Sequence, residues 1–148
     1  MNRLYVKLAT TAAAASLLFS NLIAAQVAPY SPKPLPPLLP TRQVRIMHGP
    51  ELEQANVHDN SAIITWTTNN PGGTDDHDGI VHYGTNPKEL TETAKTPNRL
   101  NRSHSDMIFR VRVPDLKPKT TYYYTVESAQ NTGKSDGVKS PVKSFSMP

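Results

Sequence analysis

The feature that most constrains this chain is the alternation of apolar and polar residues in several short runs. For example, Phe109, Val111 and Val113 share one face of an extended chain, and the residues between them are arginines. A period of two is the signature of a β-strand with one buried face. The runs predicted to be strands are Gln43–His48, Ser61–Thr68, Gly79–Gly84, Met107–Val113, Thr120–Ser128 and Val138–Phe145.

Turn-forming residues separate these runs, and no stretch of the mature chain shows the period of an amphipathic helix. The separators are Asn69–Gly73, Asn86-Pro87, Lys117-Pro118 and Asn131–Gly133. Many short strands without crossover helices favour an all-β fold, an antiparallel β-sandwich of about seven strands. The chain has no cysteine, so disulfides, thiolate metal sites and a cysteine nucleophile are excluded.

Residues 1–25 have the parts of a secretory signal peptide. Arg3 and Lys7 form a basic start, Leu8–Phe19 is apolar, and small residues lead up to a cleavage point after Ala25. The alternative is a transmembrane helix, but polar residues interrupt the apolar run before it reaches the ~18 residues that a membrane span needs. We therefore expect a secreted or periplasmic protein with no stable membrane anchor after cleavage.

Residues 26–42 form a proline-rich segment ahead of the predicted strands. Proline fixes φ and lacks a backbone donor, so Ala28–Thr41 is expected to be an extended, semi-rigid linker. Pro34–Pro37 could instead serve as a ligand for a partner that recognises polyproline helices. Residues 43–148 then make up the folded domain.

The charge of the chain argues against a nucleic-acid partner. The formal net charge is +4, the basic residues are scattered, and loss of the signal peptide lowers the charge to +2. Nucleic-acid-binding domains instead concentrate basic residues on one face.

The segment Leu116–Val126 follows an L-x-P-x-T-x-Y-x-Y-x-V pattern. In this pattern Leu116 closes one end of a sandwich, Pro118 sets the turn, and Tyr122 turns inward while its hydroxyl bonds upstream backbone. The pattern resembles the tyrosine corner of immunoglobulin-like and fibronectin type III-like domains. The residues expected to have structural roles are Trp66, Tyr83, Leu116, Pro118, Tyr122 and Tyr124.

Further motifs resemble the N-terminal domain of purple acid phosphatases. They are Val44–Pro50, Ala62–Thr67, Gly79–Thr85 and Lys119–Val126, and the most telling is the Y-G-T-x-P turn at Tyr83–Pro87. The resemblance extends over about Val44–Phe145. It implies a fibronectin type III-like sandwich that precedes a metallophosphoesterase domain with a dinuclear iron, zinc or manganese centre.

The metal-binding motifs of that catalytic domain do not occur as a set in this sequence. They comprise Asp-x-His, Gly-Asp-x-x-Tyr, Gly-Asn-His-Asp/Glu and Gly-His-x-His. The sequence therefore predicts no catalytic residue and no cofactor of its own. It is interpreted either as a truncated relative or as a stand-alone accessory domain.

One cluster of possible metal ligands follows the turn at Pro71–Gly73: Asp75, Asp76, His77 and Asp78. Carboxylates and an imidazole can bind a divalent cation. Because the cluster follows a turn, we expect it to be a solvated loop, and these four residues are weak candidates only.

The five histidines are expected at the surface or at the rim of the sandwich. They are His48, His58, His77, His82 and His104. By analogy with two-domain purple acid phosphatases, His48, His58 or His77 would be placed to touch a partner domain.

Three functions stay open at this point. The first is a secreted, non-catalytic domain that packs against a metallophosphoesterase domain or chain or acts as a spacer. The second is a stand-alone extracellular module that binds protein or glycan. The third, which the residues favour least, is an enzyme in its own right.

Overall fold

The computed structural model of the protein describes residues 32–34 and 37–148. The predicted signal peptide, residues 1–25, and most of the predicted linker lie outside the described residues. In the described part, no helix is long and apolar enough to cross a membrane.

The described chain is all-β, as its alternating pattern predicted. It contains eight strands. They are β1 Ile46–Asn56, β2 Ser61–Asn69, β3 Asp76–Gly84, β4 Glu92–Arg99, β5 Asp106–Val113, β6 Thr121–Gln130, β7 Ser135–Lys139 and β8 Lys143–Ser146.

The strands form two sheets that pack face to face. One sheet has the order β1-β2-β5, and the other has the order β4-β3-β6-β7, with β8 also paired to β6. All pairings are antiparallel. The prediction of an immunoglobulin-like/fibronectin type III-like antiparallel β-sandwich is confirmed.

The main differences from the predicted strands concern β1, β4, β7 and β8. β4 was not predicted, because Glu92–Arg99 buries only the small side chain of Ala94 and carries Pro97. Such a segment suits the edge of a sheet, where proline costs no hydrogen bond of the sheet. The predicted run Val138–Phe145 is divided into β7 and β8 around Pro141, and β1 extends eight residues beyond the predicted end at His48.

The core lies between the sheets and is centred on Trp66. This indole is 2% exposed and stacks on Phe109 with ring centroids 5.1 Å apart. Across the sandwich, β3 presents Gly79 to the same rings, so the two sheets approach each other closely here. Other almost fully buried side chains are Tyr124, Ile64, Leu116, Val81, Val111, Val113, Val126 and His77.

Near the start of β6, the core contains a tyrosine corner. The hydroxyl of Tyr122 accepts a hydrogen bond from the backbone N–H of Lys117 at 2.9 Å. Leu116 is 2% exposed beside it, and Pro118 lies in the exposed turn that leads into β6. The tyrosine ring also packs against Tyr83 and Phe145, at centroid distances of 6.3 and 5.8 Å.

Residues 37–45, here called the N-terminal strap, run along the β2–β3 loop. The N–H of Arg42 donates to the Pro71 carbonyl, and the N–H of Gly73 donates to the Leu39 carbonyl, both at 2.8 Å. Gly72 has a φ of +67°, and a Cβ atom there would lie 2.0 Å from the Pro40 carbonyl oxygen. Only glycine fits this contact, so part of the segment predicted as a linker is held against the sandwich.

The two sheets are also joined along one open side, where the edge strands β4 and β5 face each other. The side-chain amide of Asn98 on β4 donates to the carbonyl of Ile108 on β5 at 2.6 Å. The Ile108 side chain itself is 61% exposed.

Candidate functional site

The acidic cluster is not the solvated loop that the sequence predicted. Asp76, His77 and Asp78 belong to strand β3, and only Asp75 precedes it. β3 is a central strand, and its first residues pair with β4 on one side, Asp76 with Arg99, and with β6 on the other, His77 with Gln130. The ladder on both sides satisfies the backbone groups of this segment, which is why a polar sequence continues the strand.

Strand geometry separates the four side chains. Consecutive residues of a strand point to opposite faces, so His77 lies on the face opposite to Asp76 and Asp78. Asp75 binds Arg102 at 2.6 Å, and Asp78 binds Lys95 at 2.6 Å. The geometry therefore does not direct these residues toward one shared ion, and the described residues include no group of three or more His, Asp or Glu that could hold a metal.

His77 is the residue whose environment differs most from the prediction. It was expected at the surface, but it is 0% exposed. Its Nδ1 lies 3.1 Å from Oδ2 of Asp136, a side chain that is itself 3% exposed. Its Nε2 lies 3.2 Å from the Gly72 carbonyl oxygen and 3.0 Å from that of Thr74.

These contacts favour the protonated form of the buried His77 ring. Burial acts to lower the pKa of His77, but the hydrogen bond and charge of Asp136, with the two carbonyl acceptors, raise that pKa above its ordinary value. An imidazolium donates from both nitrogens, which matches acceptors on both sides of the ring. The surface prediction was wrong because the residue that buries and pairs with His77 lies 59 positions away in sequence.

Sequence reasoning missed Asp136. It lies between Ser135 and Gly137, next to the predicted turn Asn131–Gly133, in a short run with no hydrophobic alternation. An exposed turn is the usual setting for such an aspartate. No local signal in the sequence identifies it as a partner of His77.

The remaining histidines have simpler environments. His48, His58 and His104 are exposed, as expected. His82 is partly exposed on the outer face of β3, where its Nε2 lies 2.6 Å from Oε1 of Glu127. On its other side, Nδ1 of His82 lies 3.3 Å from Oγ1 of Thr93. Hydrolytic catalysis by a threonine would also need an oxyanion-binding group beside that hydroxyl.

An open cavity of about 530 Å³ lies beside the loop between β4 and β5. It is lined by Asn98, Arg99, Asn101, Ser103, His104, Ser105, Asp106, Met107 and Ile108. Arg102 belongs to the same loop, and its guanidinium binds Asp75 and the Pro37 carbonyl of the strap.

Comparison with known proteins identifies one family. The family model described as "Purple acid Phosphatase, N-terminal domain" matches residues 48–147. The match spans all of β2–β8 and most of β1, so it covers nearly all of both sheets and of the core. No curated protein matches the chain.

Proposed function

The chain belongs to the family of purple acid phosphatase N-terminal domains, and on that premise we propose that it is an exported, non-catalytic accessory domain. In this proposal the sandwich packs against a metallophosphoesterase domain or chain, which supplies the dinuclear metal centre. The sandwich needs no cofactor of its own.

The observation that carries the proposal is the extent of the family match, because residues 48–147 contain nearly all of both sheets and of the core. The ionisable groups at the start of β3 support the same assignment. Asp75, His77 and Asp78 are each engaged by a side chain of opposite charge within the domain. These side chains are thereby engaged within the domain, which supports a structural role over the binding of a metal and its nucleophile.

A phosphatase assay tests the proposal that the domain is non-catalytic. The purified chain, given an aryl phosphate at pH 5–7 with iron, zinc or manganese, should show no turnover above buffer. The control variant is Asp76→Asn, which removes an exposed carboxylate of the cluster without disturbing the core. Metal-dependent turnover that co-purifies with the chain and falls in this variant would contradict the proposal.

A binding experiment tests the accessory role. The sandwich should co-elute with a separately produced metallophosphoesterase domain of the same family and raise its thermal midpoint. An unrelated immunoglobulin-like domain serves as the control. Failure to bind that domain, together with binding to a glycan or another extracellular protein, would favour a stand-alone binding module instead.

The export part of the proposal rests on the signal-peptide pattern of residues 1–25. Secreted protein should have the intact mass of a chain that begins at Gln26. A soluble, exported form that still carries residues 1–25 would refute this part alone and leave the accessory role open.

A further inference from the structure

His77 lies where three segments of the chain meet. It belongs to β3, its Nδ1 faces Asp136 of β7, and its Nε2 faces two carbonyls of the β2–β3 loop. The ring therefore connects this loop to a strand that is distant in sequence.

The number of protons on the ring decides whether both connections exist. A neutral imidazole donates from one nitrogen only, so either Asp136 or the loop carbonyls would lose their donor. Asp136 is 3% exposed and has no second cationic partner among the described residues. A buried carboxylate without its counter-ion is strongly unfavourable, so the neutral state would break or rearrange this contact.

The same loop holds the N-terminal strap. The two carbonyls that His77 faces belong to Gly72 and Thr74, which flank Gly73. The Gly73 N–H donates to Leu39 of the strap, and Gly72 packs against the Pro40 carbonyl. A shift of this loop would therefore disturb the hydrogen bonds that fasten the strap.

We propose that the His77–Asp136 pair is a pH-dependent latch that fastens the N-terminal strap to the sandwich in acidic surroundings and releases it at alkaline pH. The released state keeps the sandwich folded and frees the first part of the strap, residues 37–42, from the β2–β3 loop. Residues 43–45 stay in place, because Val44 is buried in the core and Asn69 bonds to Gln43 and Arg45. The latch would thereby control access to the segment that precedes the domain.

Other charged groups do not take the place of Asp136. The residues opposite His77 on β4 and β6 are Asn98 and Gln130, which are uncharged. In the loop, Asp75 is paired with Arg102. The acidic neighbours of His77 on its own strand point to the opposite face, where Asp78 binds Lys95 and Asp76 is exposed beside Arg99.

The direction of the pH dependence follows from the raised pKa of His77 in the folded state. A group with a raised folded-state pKa stabilises the fold fully below its unfolded value, about 6.5 for histidine. That contribution is lost as the pH rises through the folded-state pKa. The strap should therefore be held at pH 5.5 and released above the titration of His77.

Amide hydrogen exchange measures this release directly. In the wild-type chain, the protection factor of the Gly73 amide, corrected for the intrinsic effect of pH, should fall at least tenfold between pH 5.5 and pH 9. Amides of the central strand β2 should stay protected. The fall should coincide with the titration of the His77 ring followed by NMR.

Two variants separate the latch from general effects of charge. Asp136→Asn should move the loss of Gly73 protection at least one pH unit lower, because the neutral amide no longer favours the imidazolium. The matched control is Glu127→Gln, which removes the carboxylate beside His82 and should behave as wild type.

Three results would overturn the latch: Gly73 protection that does not depend on pH in the wild type, loss of protection in β2 together with Gly73, or an equal shift in both variants. If Asp136→Asn does not fold, the test uses the wild type only. It then compares the pH dependence of Gly73 exchange with the titration curve of the His77 ring. A mismatch of more than one pH unit between those two curves would refute the proposal.

Discussion

Gly79 is the position where a single added carbon should disturb the core most directly. A Cβ atom there would lie 2.8 Å from Cδ1 of Phe109, 3.0 Å from Cγ2 of Val111 and 3.1 Å from Cη2 of Trp66. Carbon atoms that are not bonded prefer separations of about 3.5–4.0 Å. All three neighbours are at most 2% exposed, so none can move aside into solvent.

Two effects of opposite sign set the size of the change in Gly79→Ala. An extra methyl group in a well-packed core costs about 1–3 kcal/mol. Alanine in place of glycine raises the free energy of unfolding by about 0.4–1 kcal/mol, because it reduces the conformational freedom of the unfolded chain. The steric effect is larger, so we expect Gly79→Ala to lower the free energy of unfolding by about 1–2 kcal/mol.

Urea denaturation followed by fluorescence is the assay, because Trp66 is the only tryptophan and touches the substituted position. A second substitution, Val111→Ala, removes one of the crowding atoms. The double variant should lose at least ~0.5 kcal/mol less than the sum of the single variants, since contacting residues do not act independently. A neutral or stabilising Gly79→Ala, or strict additivity with Val111→Ala, would refute this account of the packing.

Three further predictions address the core, the tyrosine corner and the strap. Trp66→Ala should lower the free energy of unfolding by about 3–5 kcal/mol, measured by circular dichroism in urea, and a loss below ~1 kcal/mol would contradict its central place. Tyr122→Phe should cost about 1–3 kcal/mol, because the Lys117 N–H loses its acceptor, and an unchanged urea midpoint would argue against that bond. Gly72→Ala should detach the strap while the sandwich stays folded, so trypsin should cleave after Arg42 several-fold faster at an unchanged thermal midpoint. Equal cleavage rates in the variant and the wild type would contradict the close contact at position 72.

The strands that the sequence predicted well are those with one clearly apolar face. Met107–Val113 has this pattern, and β5 occupies almost the same residues. Glu92–Arg99 lacks this pattern. An edge strand is held largely by backbone hydrogen bonds, so its side chains need not alternate. Local patterns thus predict the strands that build the core better than those that cover its rim.

The candidate site shows a different limit of prediction. A run of three aspartates and a histidine after a turn is typical of a solvated loop, and nothing nearby indicates that His77 is buried. Its environment arises from the pairing of β3 with β6, and of β6 with β7, which carries Asp136 to it. A polar residue whose partner lies 59 positions away can be assigned only once the sheet order is known.

The hydrogen bond between Asn98 and Ile108 affects how the protein behaves at high concentration. An open sheet edge with a long, regular strand is a template for pairing with another chain, and the exposed Ile108 side chain would add to that hazard. Asn98 occupies the carbonyl that an incoming strand would need at this residue. Arg110 and Arg112, farther along the same strand, form ion pairs with Glu53 and Asp59. Asn98 thereby protects the edge of β5 against pairing with another chain. The variant Asn98→Ala should therefore aggregate more than the wild type at the same protein concentration.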